Sequence, residues 1–215
     1  MTKQDKLLAL FKAARVVPVL TIDRVEDAVP LARALVKGGV RMLEVTLRTP
    51  AAVEAAKAII AGVPDAIVGI GTILNADDLA RAEALGAQFG ISPGATPQLL
   101  KAAAASALPF APGIATASEL MAALAHGFDV VKFFPAEPSG GIKTLRALAG
   151  PFPHAKFCPT GGIGEANAAT WLSEANVVAV GGSWLCPPAE VKSENWSGIT
   201  AICDRSMKSL KGHPR

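Results

Sequence analysis

Leu43-Glu44-Val45-Thr46-Leu47-Arg48 alternates without a break. Leu43, Val45 and Leu47 form one parity, and Glu44, Thr46 and Arg48 the other. A period of two belongs to a strand, where successive side chains take opposite faces. An Ala-rich stretch of helical character follows at 51–63, and a second apolar run at 66–73. Strand, helix, strand is the pattern of a parallel crossover. If the apolar parity faces the helices, the polar parity points into the molecule. An inward Glu and Arg are costly unless they pair with each other or serve a function.

The same alternation extends in both directions. Strand candidates are 16–22, 42–48, 66–73, 88–94, 109–115, 130–136, 156–163 and 177–185, with helical segments between them, for example 51–63, 77–86 and 118–127. Gly39, Gly86 and Gly127 close helices, which suits a left-handed residue just past the last turn. Pro30 falls inside the helical segment 25–39, so that helix either starts near Asp27 or kinks at the proline. In the last helix Ile199, Ile202, Met207 and Leu210 fall on one stripe, which reads as core packing. Eight strand–helix units in about 200 residues predict a single α/β domain, a (β/α)8 TIM barrel. Residues 1–15 form an N-terminal helix, 16–185 carry the barrel strands, and 186–215 are a C-terminal segment with the last helix. A doubly wound dinucleotide-binding sheet is the main rival. Gly69-Ile70-Gly71-Thr72-Ile73-Leu74 lacks the third glycine of its fingerprint, and no glycine loop follows the first strand.

Val130-Val131-Lys132-Phe133-Phe134-Pro135 places one lysine in an apolar strand. The ordinary reading is a lysine that snorkels to water or pairs with Glu44. The sharper reading is a desolvated amine near a cation, with Arg48 as part of that surrounding, able to attack a ketone and form a Schiff base. Strand tips are rich in small residues, Gly and Pro: Gly71-Thr72, Ser92-Pro93-Gly94, Pro112-Gly113, Pro159-Thr160-Gly161-Gly162 and Gly181-Gly182-Ser183. Barrel enzymes build their sites at those tips. Gly161, Gly162, Gly182 and Ser183, at the seventh and eighth, suit a phosphate held by backbone N–H groups. Plain tight turns are the alternative.

Composition narrows the function further. With 51% hydrophobic residues and a net charge of only +3, the chain has the means to bury a core, and no basic run suggests nucleic acid. His126, His154 and His213 share no ligand spacing with one another or with a cysteine, so no metal or other cofactor is expected. Cys158, Cys186 and Cys203 show no disulfide framework, which points to a reducing compartment. Cys158 reads as a small core residue. No signal-peptide pattern and no long uncharged apolar run is seen, so a cytoplasmic protein with no membrane partner is expected.

Leu43-Glu44-Val45-Thr46-Leu47-Arg48-Thr49, Gly71-Thr72-Ile73-Leu74-Asn75, Ile91-Ser92-Pro93-Gly94, Lys132-Phe133-Phe134-Pro135-Ala136-Glu137, Phe157-Cys158-Pro159-Thr160-Gly161-Gly162-Ile163 and Gly181-Gly182-Ser183-Trp184-Leu185 together resemble the 2-keto-3-deoxy-6-phosphogluconate aldolase family. The resemblance runs from about Val16 to Leu185. It implies a homotrimeric class I aldolase of the Entner–Doudoroff pathway that releases pyruvate from a phosphorylated keto acid, with no metal. By the same resemblance Lys132 forms the Schiff base, Glu44 is the general acid/base, and Arg48 and Thr72 hold the pyruvate carboxylate. Pro93, Phe134, Thr160, Gly161, Gly162, Gly182 and Ser183 are the further substrate-binding candidates. Phe134 shares the face of Lys132 and would shield the imine, or is simply core. Chemistry agrees with these residue types. Cleaving C3–C4 leaves a carbanion that an imine at C2 absorbs, the C4 hydroxyl needs a base, and a carboxylate suits an arginine fork. Glu44 and Arg48 stand roughly 13 Å apart along a strand, which puts Glu44 deep and Arg48 at the rim. Other readings stay open: an aldolase for the 6-phosphogalactonate epimer, a phosphosugar isomerase, or a non-catalytic phosphometabolite-binding barrel. Cleavage of unphosphorylated 4-hydroxy-2-oxoglutarate is a further expectation. Thr160 and Ser183 are the residues to inspect for epimer preference.

Overall fold

The computed structural model describes residues 1–211. His213, read as tail, lies outside them. Helix α1 (Lys3–Ala14) opens with a capping box: the Asp5 N–H donates to the Thr2 hydroxyl at 3.0 Å, and the Thr2 N–H donates to the Asp5 carboxylate at 2.8 Å. Strands and helices then alternate as β1 (Val16–Leu20), α2 (Val25–Lys37), β2 (Met42–Thr46), α3 (Ala52–Gly62), β3 (Ile67–Gly71), α4 (Ala76–Ala84), β4 (Phe89–Ile91) and α5 (Pro97–Ala105). The second half continues with β5 (Phe110–Ala111), β6 (Gly113–Ile114), α6 (Ala117–Ala125), β7 (Val130–Phe133), α7 (Gly141–Ala149), β8 (Lys156–Pro159), α8 (Ala168–Leu172) and β9 (Val180–Gly182), then α9 (Pro188–Lys192) and α10 (Trp196–Lys211).

Every strand pair is parallel. One sheet runs β5-β4-β3-β2-β1-β9 and the other β6-β7-β8. β5 and β6 are two halves of the single strand expected at 109–115, divided at Pro112, which has no N–H for a ladder. The Pro112 carbonyl still accepts the Lys132 N–H at 2.9 Å. Isolated parallel bridges Phe157↔Val177 and Thr160↔Gly181 link β8 to the segment around β9. The result is an α/β fold of parallel strands in a curled sheet. Strands are shorter than the sequence suggests: 42–48 ends at Thr46, and 177–185 contracts to three residues.

Alternation survives in the packing. Leu43 and Val45 of β2, Val131 and Phe133 of β7 and Phe157 of β8 join the large core beneath the helices. Met42, Val130 and Cys158, on the other parity, join a smaller inner core with Leu7 and Phe11 of α1. Glu44 and Lys132 share the inner parity, so the strands carry their polar groups inward as the pattern of two requires. Both faces of the strands are covered, as parallel sheets demand. α1 packs across one end. Its buried Gln4 donates to the Phe110 carbonyl at 2.9 Å and accepts the Val130 N–H at 3.0 Å.

The helix carrying Pro30 does not wait for Asp27 to begin. α2 begins at Val25 and runs on through the proline. The lost hydrogen bond is offset by burial of Ala28, Leu31, Ala32 and Leu35 in the main core. At the end of that helix a Cβ on Gly38 would stand 2.4 Å from the Cβ of Cys203, so glycine is what lets α10 approach. In α10 the expected stripe holds: Ile199 and Leu210 are buried, Ile202 and Met207 partly so. Gly39, Gly86 and Gly127 are left-handed as expected, with φ of 89°, 77° and 83°.

Candidate active site

Lys132 projects from β7 and is 3% exposed. Its Nζ donates to Glu44 Oε1, from β2, at 3.2 Å. Glu44 is 1% exposed. A carboxylate fits there because β3 ends in Gly71: a Cβ on that residue would meet Glu44 Oε1 at 2.2 Å. The pairing with Glu44, raised as the ordinary reading of the lone lysine, is therefore present. Arg48, expected as part of the cationic surrounding of that amine, stands on the cavity wall. Leu47 and Arg48 leave the strand after Thr46, so strand parity no longer governs Arg48. It is exposed and makes no ion pair among the described residues. Glu44 does lie deep and Arg48 at the rim. Thr46, on the same inner parity, is spent locally, donating to the Leu20 carbonyl at 2.8 Å.

Above this pair lies a cavity of about 610 Å³. It is built from segments that follow the strands' C-terminal ends. Arg48 contributes from the turn after β2, and Phe134 from the turn after β7. Thr160, Gly161 and Gly162 follow β8, and Gly182 and Ser183 come from β9 and its exit. The Phe134 ring centroid is 5.2 Å from the Lys132 amine, so the amine lies just behind the wall. Gly161 and Gly162 are both left-handed, φ 102° and 79°. The N–H groups of Gly162 and Ser183 make no hydrogen bond among the described residues. They are donors ready for an anion.

Two expected substrate residues do not reach the cavity wall. Thr72 follows Gly71 with φ 62°, an uncommon conformation for a residue with a branched Cβ, and Pro93 packs its carbonyl against Gly113. Both are half-buried. Conversely, Asp23, Arg24, Asp27 and Lys192 line the cavity and were not anticipated. Arg24 bridges Asp27 at 3.0 Å and Glu194 at 2.9 Å, which holds its guanidinium pKa above the ordinary value. Lys192 makes no ion pair among the described residues. Asp23 and Arg24 sit in the loop after β1, Asp27 in the first turn of α2, and Lys192 in the short helix α9 after β9. The only available signal was their position past strand ends.

Cys158 pairs in register with Lys132, and burial pushes its thiol up to about 12 against the pull of the Lys132 charge. Cys186, on the cavity wall, is likewise pushed up to about 12 by burial. Neither is a nucleophile at neutral pH. Among the described residues no group of three or more His, Cys, Asp or Glu gathers to hold a metal.

A buried lysine amine 3.2 Å from a carboxylate thus lies behind the wall of a cavity built at the C-terminal ends of parallel strands. A family model described as KDPG and KHG aldolase matches residues 7–202, and the chain belongs to that family. It is 53% identical to the 2-dehydro-3-deoxy-phosphogluconate aldolase of Dickeya dadantii, over 92% of this chain and 93% of the relative. It is 50% identical to the KHG/KDPG aldolase of Escherichia coli, over 91% and 92%. Its backbone is similar to the crystal structure of KDPG aldolase from Legionella pneumophila with pyruvate captured at low pH as a covalent carbinolamine intermediate. The TM-score is 0.90 and the identity 47%, over 93% and 97% of the two chains.

Proposed function

We propose that this chain is a class I aldolase that reversibly cleaves 2-dehydro-3-deoxy-6-phosphogluconate to pyruvate and glyceraldehyde 3-phosphate, with Lys132 as the Schiff-base residue and Glu44 as acid/base. The observation that carries the assignment of residues is the buried Lys132–Glu44 contact at 3.2 Å behind the cavity wall. The Lys132 amine adds to the C2 ketone and water leaves, giving a protonated imine. Glu44 takes the C4 hydroxyl proton as the C3–C4 bond breaks, and the bonding pair flows into the imine to form an enamine. The aldehyde departs, C3 regains a proton from Glu44, and water hydrolyses the imine to free pyruvate and the amine. Arg48 holds the carboxylate and the Gly161-Gly162 and Gly182-Ser183 segments the phosphate. Phe134 keeps bulk water from the imine, Thr160 faces the middle of the substrate, and Thr72 and Pro93 support the floor from behind.

We further propose that the two sheets and the β8–β9 bridges close as one (β/α)8 barrel, continuous through Pro112. The resemblance also supports cleavage of 4-hydroxy-2-oxoglutarate, a homotrimer and a cytoplasmic location. The exposed Leu74 and Met121 are apolar groups that a subunit contact would cover. Among the described residues no helix is long and apolar enough to cross a membrane.

Borohydride reduction with pyruvate, followed by peptide mass mapping, tests the assignment. The expected result is a pyruvate adduct on Lys132 and none in Lys132→Arg. Unchanged cleavage by Lys132→Arg would overturn it, and ligand binding with no adduct would favour the non-catalytic reading.

A further inference from the structure

The Gly161-Gly162 turn rests on a polar bracket that the proposed chemistry leaves unused. Glu137, in the turn after β7, presents one oxygen, Oε1, to two donors: the Trp171 indole N–H at 2.9 Å and the Asn167 amide at 3.2 Å. The same Asn167 amide nitrogen donates to the Gly162 carbonyl at 3.1 Å, and Asn167 Oδ1 accepts the Gly164 N–H at 2.8 Å. The backbone adds a second tie, since the Glu137 N–H donates to the Gly161 carbonyl at 3.0 Å. Contact is tight as well as polar. A Cβ on Gly162 would come within 2.6 Å of both Cβ and Cγ of Glu137. Trp171, fully buried, anchors the bracket in the core beside Phe133, the neighbour of Lys132 in sequence, with ring centroids 6.4 Å apart.

A carboxylate so near a turn that is to receive a phosphate repels it, so charge is not what this residue contributes. We propose that Glu137, held by Trp171 and Asn167, is a positioning residue that fixes the Gly161-Gly162 turn for the phosphate end of the substrate. This rests on the reading that those glycines receive the phosphate. Both side-chain bonds end on Oε1, an atom that a carboxamide also supplies. Glu137→Ala leaves the indole and amide donors without their acceptor and frees the turn.

The experiment compares Glu137→Gln, Glu137→Ala and Asn167→Ala with the unaltered enzyme. Steady-state kinetics use the phosphorylated keto acid and 4-hydroxy-2-oxoglutarate, and inorganic phosphate serves as a competitive inhibitor. Glu137→Ala should raise the KM for the phosphorylated substrate and the phosphate Ki by about tenfold, with kcat little changed. KM for the unphosphorylated substrate and the yield of pyruvate adduct on Lys132 should not move. Glu137→Gln should restore the phosphorylated-substrate KM to the original value or below. Asn167→Ala, which loosens the bracket from the other side, should follow Glu137→Ala and serves if that variant does not fold. Equal losses on both substrates, or a lower denaturation midpoint with no change in selectivity, would overturn the proposal. If phosphate fails to inhibit the unaltered enzyme, the phosphate reading itself falls. If phosphate inhibits the unaltered enzyme and Glu137→Ala equally, only the role of Glu137 falls.

Discussion

Replacing Glu44 by Gln separates imine formation from carbon–carbon cleavage. The carboxylate is 3.2 Å from the Lys132 amine, and the two side chains are 2% and 4% exposed. At that separation a unit charge pair interacts by about 5 kcal/mol, taking an effective permittivity of about 20. Deleting the carboxylate outright strands a buried ammonium, at a cost of about 3–5 kcal/mol. Gln is the informative change because its Oε1 still accepts from Lys132 and its volume fits the space under Gly71. It keeps the hydrogen bond but loses the negative charge and, with it, the capacity to take the C4 hydroxyl proton. Loss of a positioned base slows turnover by about 10²–10⁴, equivalent to about 3–5 kcal/mol in the barrier. Pyruvate release is followed by a coupled lactate dehydrogenase assay, and imine formation by borohydride trapping with mass mapping. Slow cleavage with an intact Lys132 adduct is the expected pair of results. Turnover within threefold of the original, or an adduct that vanishes with the carboxylate, would refute the division of labour between the two groups.

Other outcomes follow from the same site. Arg48→Ala should weaken pyruvate by about 10–100-fold in half-saturation of trapping, the loss of a charge-assisted fork; an unaltered affinity argues against its role. Lys192→Gln should raise the KM of the phosphorylated substrate about two- to fivefold and lessen its salt dependence, as an exposed charge does; titrating KM against sodium chloride checks this. Cys158, Cys186 and Cys203 have thiols pushed up to about 12 by burial, so iodoacetamide at pH 8 should modify none of them before unfolding. The folded chain holds those protons where the unfolded chain releases them, above about pH 8.5. Unfolding therefore releases protons, and stability falls as pH rises from there toward 12. Urea midpoints between pH 8 and 10.5 should show the decline, and Cys203→Ala should make it shallower.

Much of the frame was legible because its cause is local. Alternation in Leu43–Leu47 and Val130–Phe133 is enough to send Glu44 and Lys132 inward, and glycines after helices mark their own left-handed turns. What the pattern did not carry is where a strand stops. Arg48 continues the alternation in letters but follows Thr46 into a turn, so strand parity does not decide where its side chain goes, and it lines the cavity. Pro112 splits a run that looks continuous, because a missing N–H interrupts a ladder without changing hydropathy. Pro30 misleads in the other direction: the tertiary burial of α2 outweighs a local helix penalty. The site roles of Asp27, Lys192 and Glu137 were not read for a different reason. Glu137 takes its role from Asn167 and Trp171, far along the chain, and Asp27 and Lys192 from a cavity wall assembled by several separate segments.

Helix α1 has a kinetic consequence. Gln4, Leu7 and Phe11 cover the end of the strands opposite the cavity. On the proposed chemistry, pyruvate stays tethered at the bottom while the phosphorylated fragment lies between it and the exit. The covalent imine sets the order of departure, aldehyde first and keto acid last, with the reverse queue in the synthetic direction, and the covered end leaves both fragments to use the cavity side.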